Sequence, residues 1–435
     1  TGTTIVNNGS QTGFGRTGTV DWQTGSIKTG TFTAVNGEGY FVDTSSGVST
    51  ANLPAGSAGA IVSFADYTRT FQTNNLTITP NGSEKIGGVA ASFYAQTEGQ
   101  SITLVYVDAT EGWINTTEST GQAGLLPAFI TATGGTITTV CTDYKVHTFT
   151  GPGTFTVTCA GNSLGSSAVD YLAVAGGGGG AAEYGGGGGA GGYRESSGAA
   201  SGCYTASPLG ACVSSIPVSA IGYPIVVGAG GPAGTTPPAT GGTSGSPSSG
   251  LTITSTGGGG TGAGASTPNY NAGTGGSGGG GGSPSSAGAG SGGSGNTPPV
   301  SPPQGNNGGN GFHDAAYAAL GGGGGGATTA GSTVVPNNPL NTPVSFAGPG
   351  GNGATSSIDG TSTTRSGGGG GGTHPNKPTT YGIGGPGGGG PGGAGGNAVG
   401  VAGTVNTGGG GGGGSGLSNG GVGGSGIVII RYKFQ

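Results

Sequence analysis

A series of uninterrupted glycine runs constrains this chain more than any other feature. They occupy 176–180, 185–189, 257–260, 278–282, 321–326, 367–372, 387–390 and 408–414. Short spacers of Ser, Thr, Asn, Pro and Ala separate them, with an occasional aromatic. Residues 1–170 hold 25 of the 116 glycines, so the runs belong to the second part of the chain. Such a segment can be a disordered linker, a collagen, or a packed array of extended glycine strands. Collagen needs Gly at every third position without lapse; triple-glycine runs and spacers such as 332–346 exclude it. Polyglycine can instead take a left-handed threefold extended helix without internal hydrogen bonds, rising about 3.1 Å per residue. Bare backbones approach closely and exchange N–H···O=C bonds on every side. Ordering glycine costs more backbone entropy than ordering any other residue, so a dense hydrogen-bond lattice must offset it, at about 1 kcal/mol net per bond.

Such a lattice needs folded elements at its ends, and the sequence supplies them. Residues 168–175 form an apolar stretch before the first run, 426–434 follow the last run as the most β-prone stretch of the chain, and 223–227 lie between. All three read as strands, which favours the ordered array over a linker.

The chain has 435 residues, room for two or three domains. It is 31% apolar and only 6% charged, against about 25% in an ordinary globular protein; solvating disordered tails are usually charge-rich. Residues 1–170 carry 11 acidic and 5 basic groups and the remainder 4 and 5. Without a basic patch, nucleic acid is not an expected partner. No apolar run approaches the roughly 18 residues of a spanning helix, so membrane insertion is not expected. The chain starts at Thr1 and lacks methionine, which reads as a processed or trimmed product.

Residues 1–19 read as a Gly/Thr/Asn-rich arm. Over 20–118 the pattern is a compact β-module, with candidate strands at 31–35, 39–43, 60–66, 76–79, 90–94, 101–108 and 112–115. Turn clusters at the spacing of a sandwich or barrel separate them. Trp22 and Trp113 read as core or interface anchors. A connector follows at 119–135, and a glycine-rich domain with flanking strands fills 136–435. Its opening, 136–150, a turn at 151–153 and 154–159, reads as a β-hairpin. The expected fold class is therefore all-β: a sandwich-like module, then a β-strand base carrying a polyglycine sandwich, with essentially no α-helix.

Two stretches resemble known families. Val20-Asp-Trp-Gln-Thr-Gly-Ser-Ile-Lys28, Gly37-Glu-Gly-Tyr-Phe-Val-Asp43, Leu53-Pro-Ala55, Ala65-Asp-Tyr67, Thr73-Asn-Asn-Leu-Thr-Ile78 and Leu104-Val-Tyr-Val-Asp108 with Gly112 and Trp113 resemble a β-module of bacteriophage virion and tail-fibre proteins. Phe149-Thr-Gly-Pro-Gly-Thr-Phe-Thr-Val157, Val169-Asp-Tyr-Leu-Ala-Val-Ala175 before the first run, Tyr223-Pro-Ile-Val-Val-Gly-Ala-Gly230 and Gly426-Ile-Val-Ile-Ile-Arg-Tyr432 are similar to the glycine-rich domain of phage and virus-like tail proteins, over about 128–435. The resemblance implies a polyglycine sandwich whose distal loops touch a host receptor. It further implies a virion location, other tail or fibre proteins as partners, and a homotrimer. The stretch between Cys203 and Cys212 and the long Pro/Ser spacers depart from the pattern.

Catalytic patterns are missing. G-x-G-x-x-G recurs by composition alone, and no G-x-x-x-x-G-K-[ST] occurs. Opposed carboxylates for polysaccharide hydrolysis are not evident: Glu183, Glu195, Asp314 and Asp359 stand apart, and Asp108 with Glu111 reads as a turn. His147, His313 and His374 have no nucleophile motif beside them. The expectation is no enzyme, no cofactor and no metal. Four cysteines form two local pairs, Cys141 with Cys159 and Cys203 with Cys212, at spacings unlike zinc sites; they are disulfide candidates, with free thiols as the alternative. The second pair, enclosing Pro208 and Gly210, allows the Cα approach of about 5.5 Å that a bridge needs.

Residues that a glycine lattice cannot absorb are the candidate binding residues: Tyr270, Phe312, His313, Tyr317, His374 and Tyr381. All lie in spacers, which are expected to be turns at the lattice ends. Aromatics on rigid turns offer contact area at low entropic cost, or they cap the lattice. The functional expectation is a phage tail-fibre adhesin acting through these loops; the alternative is an extracellular or cell-surface filament whose glycine slab serves assembly.

Overall fold

The computed structural model describes residues 20–117, 127–162, 165–202, 204–210, 212–264, 270–284, 288–314, 318–334, 345–374 and 379–435. The chain divides into two compact units at 126/127. Strands and turns make up both, apart from one 3-10 turn at Pro208–Gly210. No helix among the described residues is long and apolar enough to cross a membrane.

The first unit contains β1 (Asp21–Trp22), β2 (Thr31–Thr33), β3 (Glu38–Val42), β4 (Ser49–Asn52), β5 (Ile61–Asp66), β6 (Leu76–Thr79), β7 (Phe93–Ala95), β8 (Ser101–Asp108) and β9 (Gly112–Asn115). They form a five-stranded sheet in the order β1-β3-β5-β8-β9 and a four-stranded sheet in the order β2-β4-β6-β7. The two sheets bury one core, from Tyr40, Val42, Val62, Phe64, Ile102, Leu104 and Trp113 on one side and Ala51, Leu76, Ile78 and Phe93 on the other. The sandwich-like expectation holds, with a winding that the turn spacing did not show. From β1 to β6 the chain alternates between the sheets and pairs in parallel within each. These are three coils of a two-sided solenoid, closed by the antiparallel β7 and the β8–β9 hairpin. β4 escaped the sequence reading because Ser-Thr-Ala-Asn carries no large apolar residue. Its Ser49 and Ala51 are small because they face inward. Trp113 is buried, its Nε1–H donating to Glu84 Oε2 at 3.2 Å. Trp22 is partly exposed and stacks on Phe41 at 4.9 Å.

The base of the second unit is built from β10 (Ile130–Thr133), β11 (Thr136–Val140), β12 (Tyr144–Phe149), β13 (Gly153–Ala160), β14 (Ala168–Val174), β15 (Tyr193–Glu195), β16 (Ile216–Pro217), β17 (Gly222–Ile225) and, at the C-terminus, Ile427–Lys433. The C-terminal strand lies between β12 and β14, with Val174 opposite Ile427, so the glycine segment leaves and returns side by side. β10, β13 and β17 form a separate sheet. Ile130, Phe155, Val157 and Ile225 of that sheet pack with Phe149, Val169, Val428 and Ile430 of the larger one. Two expectations are corrected here. The connector at 119–135 is shorter than read, because β10 alternates buried Ile130 and Ala132 and pairs with β13. The hairpin is β11–β12, turned at Cys141 and Thr142 with φ of 48° and 65°; the Gly151–Gly153 turn instead carries the chain from one sheet to the other.

Beyond the base, the glycine runs are extended rods joined by turns. Rod 185–192 shows the packing. Gly185, Gly188 and Gly191 donate to Gly414, Gly411 and Gly408, Gly189 and Gly192 to Gly259 and Thr256, and Gly187 and Ala190 to Gly322 and Gly325. Its carbonyls accept from Gly178 and Ala181, from Gly280 and Ser277, and from Gly369 and Gly372. Partners recur every third residue, so one rod is bonded to six neighbours, the pattern demanded by a threefold extended helix. A Cβ at Gly186, Gly187 or Gly188 would overlap the carbonyl oxygen of Gly280, Gly369 or Gly178. The uninterrupted runs are interior rods for this reason. The spacers are not only turns, as the sequence suggested. Several are peripheral rods whose every third residue faces outward, as with exposed Thr240, Thr243 and Ser246, Ser291 and Ser294, and Asn307 and Asn310.

Short ladders decorate the rod ends: β18 (Ser248–Gly250) with β19 (Ile253–Ser255), β20 (Phe312–Asp314) with β21 (Ala318–Leu320), β22 (Ser345–Phe346) with β25 (Thr379–Thr380), and β23 (Ala354–Ser356) with β24 (Thr363–Arg365). The C-terminal strand is β26.

Candidate functional site

The rods run out from the base and back, so their turns fall at two ends. The first leaves β14 at Val174, turns at 182–184 and returns through 185–192 to β15. Glu183 and Tyr184 hold φ of 51° and 57° in this turn, a conformation costly for side-chain-bearing residues. The turn sits beside two others: Glu183 N–H donates to Ser418 O at 3.1 Å, Thr236 Oγ1 to Glu183 Oε1 at 2.5 Å, and Thr236 N–H to Asn419 Oδ1 at 2.9 Å.

The described candidates, Tyr270, Phe312, His313, His374 and Tyr381, lie at this same end. Tyr270 is half-buried, and its carbonyl accepts Gly282 N–H at 2.9 Å, joining the loop after 264 to the loop after 282. His313 pairs through its backbone with Gly288, linking that loop to β20. His313 is half-buried, and its Nδ1 has no hydrogen-bond partner among the described residues. Phe312 packs on Leu320, Val334 and Ala347, which makes it a cap of the lattice and not a displayed side chain. His374 stacks on Tyr184, centroids 5.4 Å apart and planes 6° from parallel. Burial, then the neighbouring Glu183 carboxylate, pushes the Tyr184 phenol above its ordinary range. Tyr381 is 38% exposed at the end of β25. Tyr317 and the tips 265–269, 285–287, 335–344 and 375–378 lie outside the described residues.

The structure adds two residues that the sequence reading passed over. Phe346 is 47% exposed and pairs in parallel with Thr380, the residue before Tyr381. Tyr184 partners His374. Each carries the same signal as the chosen residues, an aromatic in a spacer between glycine runs. The loop end therefore presents two kinds of feature: two exposed aromatics, Phe346 and Tyr381, and a stacked pair, Tyr184 with His374. Among the described residues no group of His, Cys, Asp and Glu converges to hold a metal ion.

The described cysteines lie apart from this end. Cys141 occupies the β11–β12 turn, while Cys159 stands on β13 of the other sheet as an exposed free thiol. Of the two alternatives open for this pair, a bridge or free thiols, Cys159 is found as a free thiol, and the two residues, close in sequence, belong to different sheets. Cys212 is also an exposed free thiol, and Cys203 lies outside the described residues.

The model of a family described as a glycine-rich domain matches residues 148–433, about two thirds of the chain. No curated protein matches.

Proposed function

This chain belongs to the glycine-rich domain family, and from that premise we propose that it is a non-enzymatic adhesin of a phage tail fibre, a homotrimeric virion subunit that meets a host surface receptor through the loop end of its glycine lattice. One observation carries the reading. The loops holding Tyr270, His313, Phe346, His374 and Tyr381 converge on one end of a rigid lattice whose first and last strands are fixed in the base. A rigid scaffold bearing variable loops suits recognition. Among the described residues of the second unit, exposed aromatic side chains stand at this end and not along the rods, which favours an adhesin over a filament. The proposed role is binding alone.

Adsorption of the purified protein to host cells, read beside a melting curve, tests the proposal. Phe346→Ala and Tyr381→Ala are expected to melt like the parent and to lose adsorption, since truncating a central aromatic anchor costs about 2 kcal/mol or more of binding. Phe312→Ala is expected to lower the melting temperature, because that ring caps the lattice. Normal adsorption by Phe346→Ala, Tyr381→Ala and their double variant would sink the loop-end reading.

A further inference from the structure

The flanks of the glycine lattice are chemically unequal. Around most of its periphery the outward positions are Thr, Ser and Asn: Thr240, Thr243 and Ser246, Thr274, Ser291 and Ser294, Asn307 and Asn310, Ser332 and Asn352. One flank differs. Peripheral rods 382–386, 389–393, 398–403, 419–424 and 229–234 are bonded in series: Gly392 N–H to Gly382 O at 2.9 Å, Val401 N–H to Pro391 O at 3.0 Å, Gly403 N–H to Val422 O at 2.8 Å and Gly423 N–H to Gly231 O at 2.9 Å. Their outward residues are Ile383, Val399, Val401 and Val422, with exposed Pro386, Ala402, Ala229 and Pro232 between them and Asn419 as the polar exception. Val405 and Leu417 extend the strip at the two turns that border rod 408–414. The six large aliphatics are 49% to 67% exposed.

Exposed aliphatic strips of this extent mark interaction surfaces in soluble proteins. The occupant follows from charge. From 382 to 426 the sequence holds no Asp, Glu, Lys or Arg, so the flank offers nothing to a charged partner, and two copies of it meet without repulsion or desolvation of charge. Branched side chains at the outward positions also keep an approaching backbone too far away to extend the lattice by N–H···O=C bonds. Contact must then be side chain to side chain.

We propose that this flank is the seam through which copies of the chain associate. The inference rests on the homo-oligomeric reading above and assigns it a surface. The mass of the full chain in solution at micromolar concentration, by sedimentation equilibrium, tests it. The parent is expected to exceed the single-chain mass of 40.1 kDa. Val399→Asp with Val422→Asp is expected to fall to that mass with an unchanged melting curve, and Val399→Ser with Val422→Ser to dissociate at least tenfold more readily. Thr243→Asp, on the polar periphery, is expected to keep the parent's mass. A parent that sediments as a single chain overturns the proposal, and so does an assembly that survives the Asp pair. The adsorption experiment reads the loop end and this one reads the flank, so either can fail while the other stands.

Discussion

Charged and titratable groups buried in the base show how single residues hold the second unit together. Arg431 is fully buried on β26, its guanidinium between the rings of Tyr144 and Tyr204 at 4.8 and 5.0 Å, donating to the carbonyls of Ile358 and Gly202. Opposite it in register, Asp170 accepts from Ser196 Oγ, Ser201 N and Oγ, and Ser215 Oγ, at 2.6 to 3.0 Å. Four hydrogen bonds to one carboxylate fasten the 196–215 segment to the sheet, an attachment that the sequence does not announce because its members lie up to 45 residues apart. His147 is the acid-sensitive member of this core. It is buried, with Nδ1 2.7 Å from Gly134 O and Nε2 3.1 Å from Tyr432 Oη. Burial, with a smaller contribution from Lys145, depresses its pKa below 6.5, against the opposing bond to Gly134. The unfolded chain therefore binds the proton more readily than the folded one. This contribution to stability is present above about pH 6.5 and is lost as pH falls below it. Melting temperature is expected to drop between about pH 7 and pH 5.5, and His147→Gln to flatten that slope; equal slopes would show that His147 does not govern it.

Among the elements, the interior rods are where one atom matters most. A Cβ at Gly370 would overlap Gly382 O. Gly370→Val is therefore expected to cost at least the upper part of the roughly 1–3 kcal/mol range typical of overpacking. It should also speed amide exchange across 367–372, while Thr243→Val on a peripheral rod should do neither. Melting curves with exchange mass spectrometry read both. These elements were partly legible from sequence. β6, β8 and β9 coincide with the stretches chosen, because apolar residues alternate with polar ones in β6 and through the first half of β8, and β9 carries Trp113 and Ile114 side by side. β4 and β10 were not found, because small and polar residues fill positions that only tertiary pairing reveals. The glycine runs are legible as a lattice, yet the peripheral rods look like turns: a rod with a side chain at every third position resembles a spacer until its neighbours are known. At the loop end, residue type marks the spacers but does not separate displayed Tyr381 from capping Phe312, a distinction made by packing alone.

Taken whole, the chain is two compact units with cores of different kinds, one filled by aliphatic and aromatic side chains and the other largely by backbone hydrogen bonds. Calorimetry is expected to resolve two transitions, and a chain beginning at Pro127 to retain the second unchanged; a single transition lost on truncation would show that the units fold as one. The threefold repeat of the rods has a further consequence, for how such a protein can change in length. Removing or adding one residue within a rod turns everything beyond it by a third of a revolution, so each N–H then points at the wrong neighbour. Three residues restore the bearing and merely shift the tip by one turn of the helix, about 9 Å at the rise of this conformation. Length variation inside the rods is thus confined to multiples of three, while the loops, each closed by its own two rods, can take insertions of any size. A lineage built on this lattice would keep time in triplets within the slab and vary freely only at its ends.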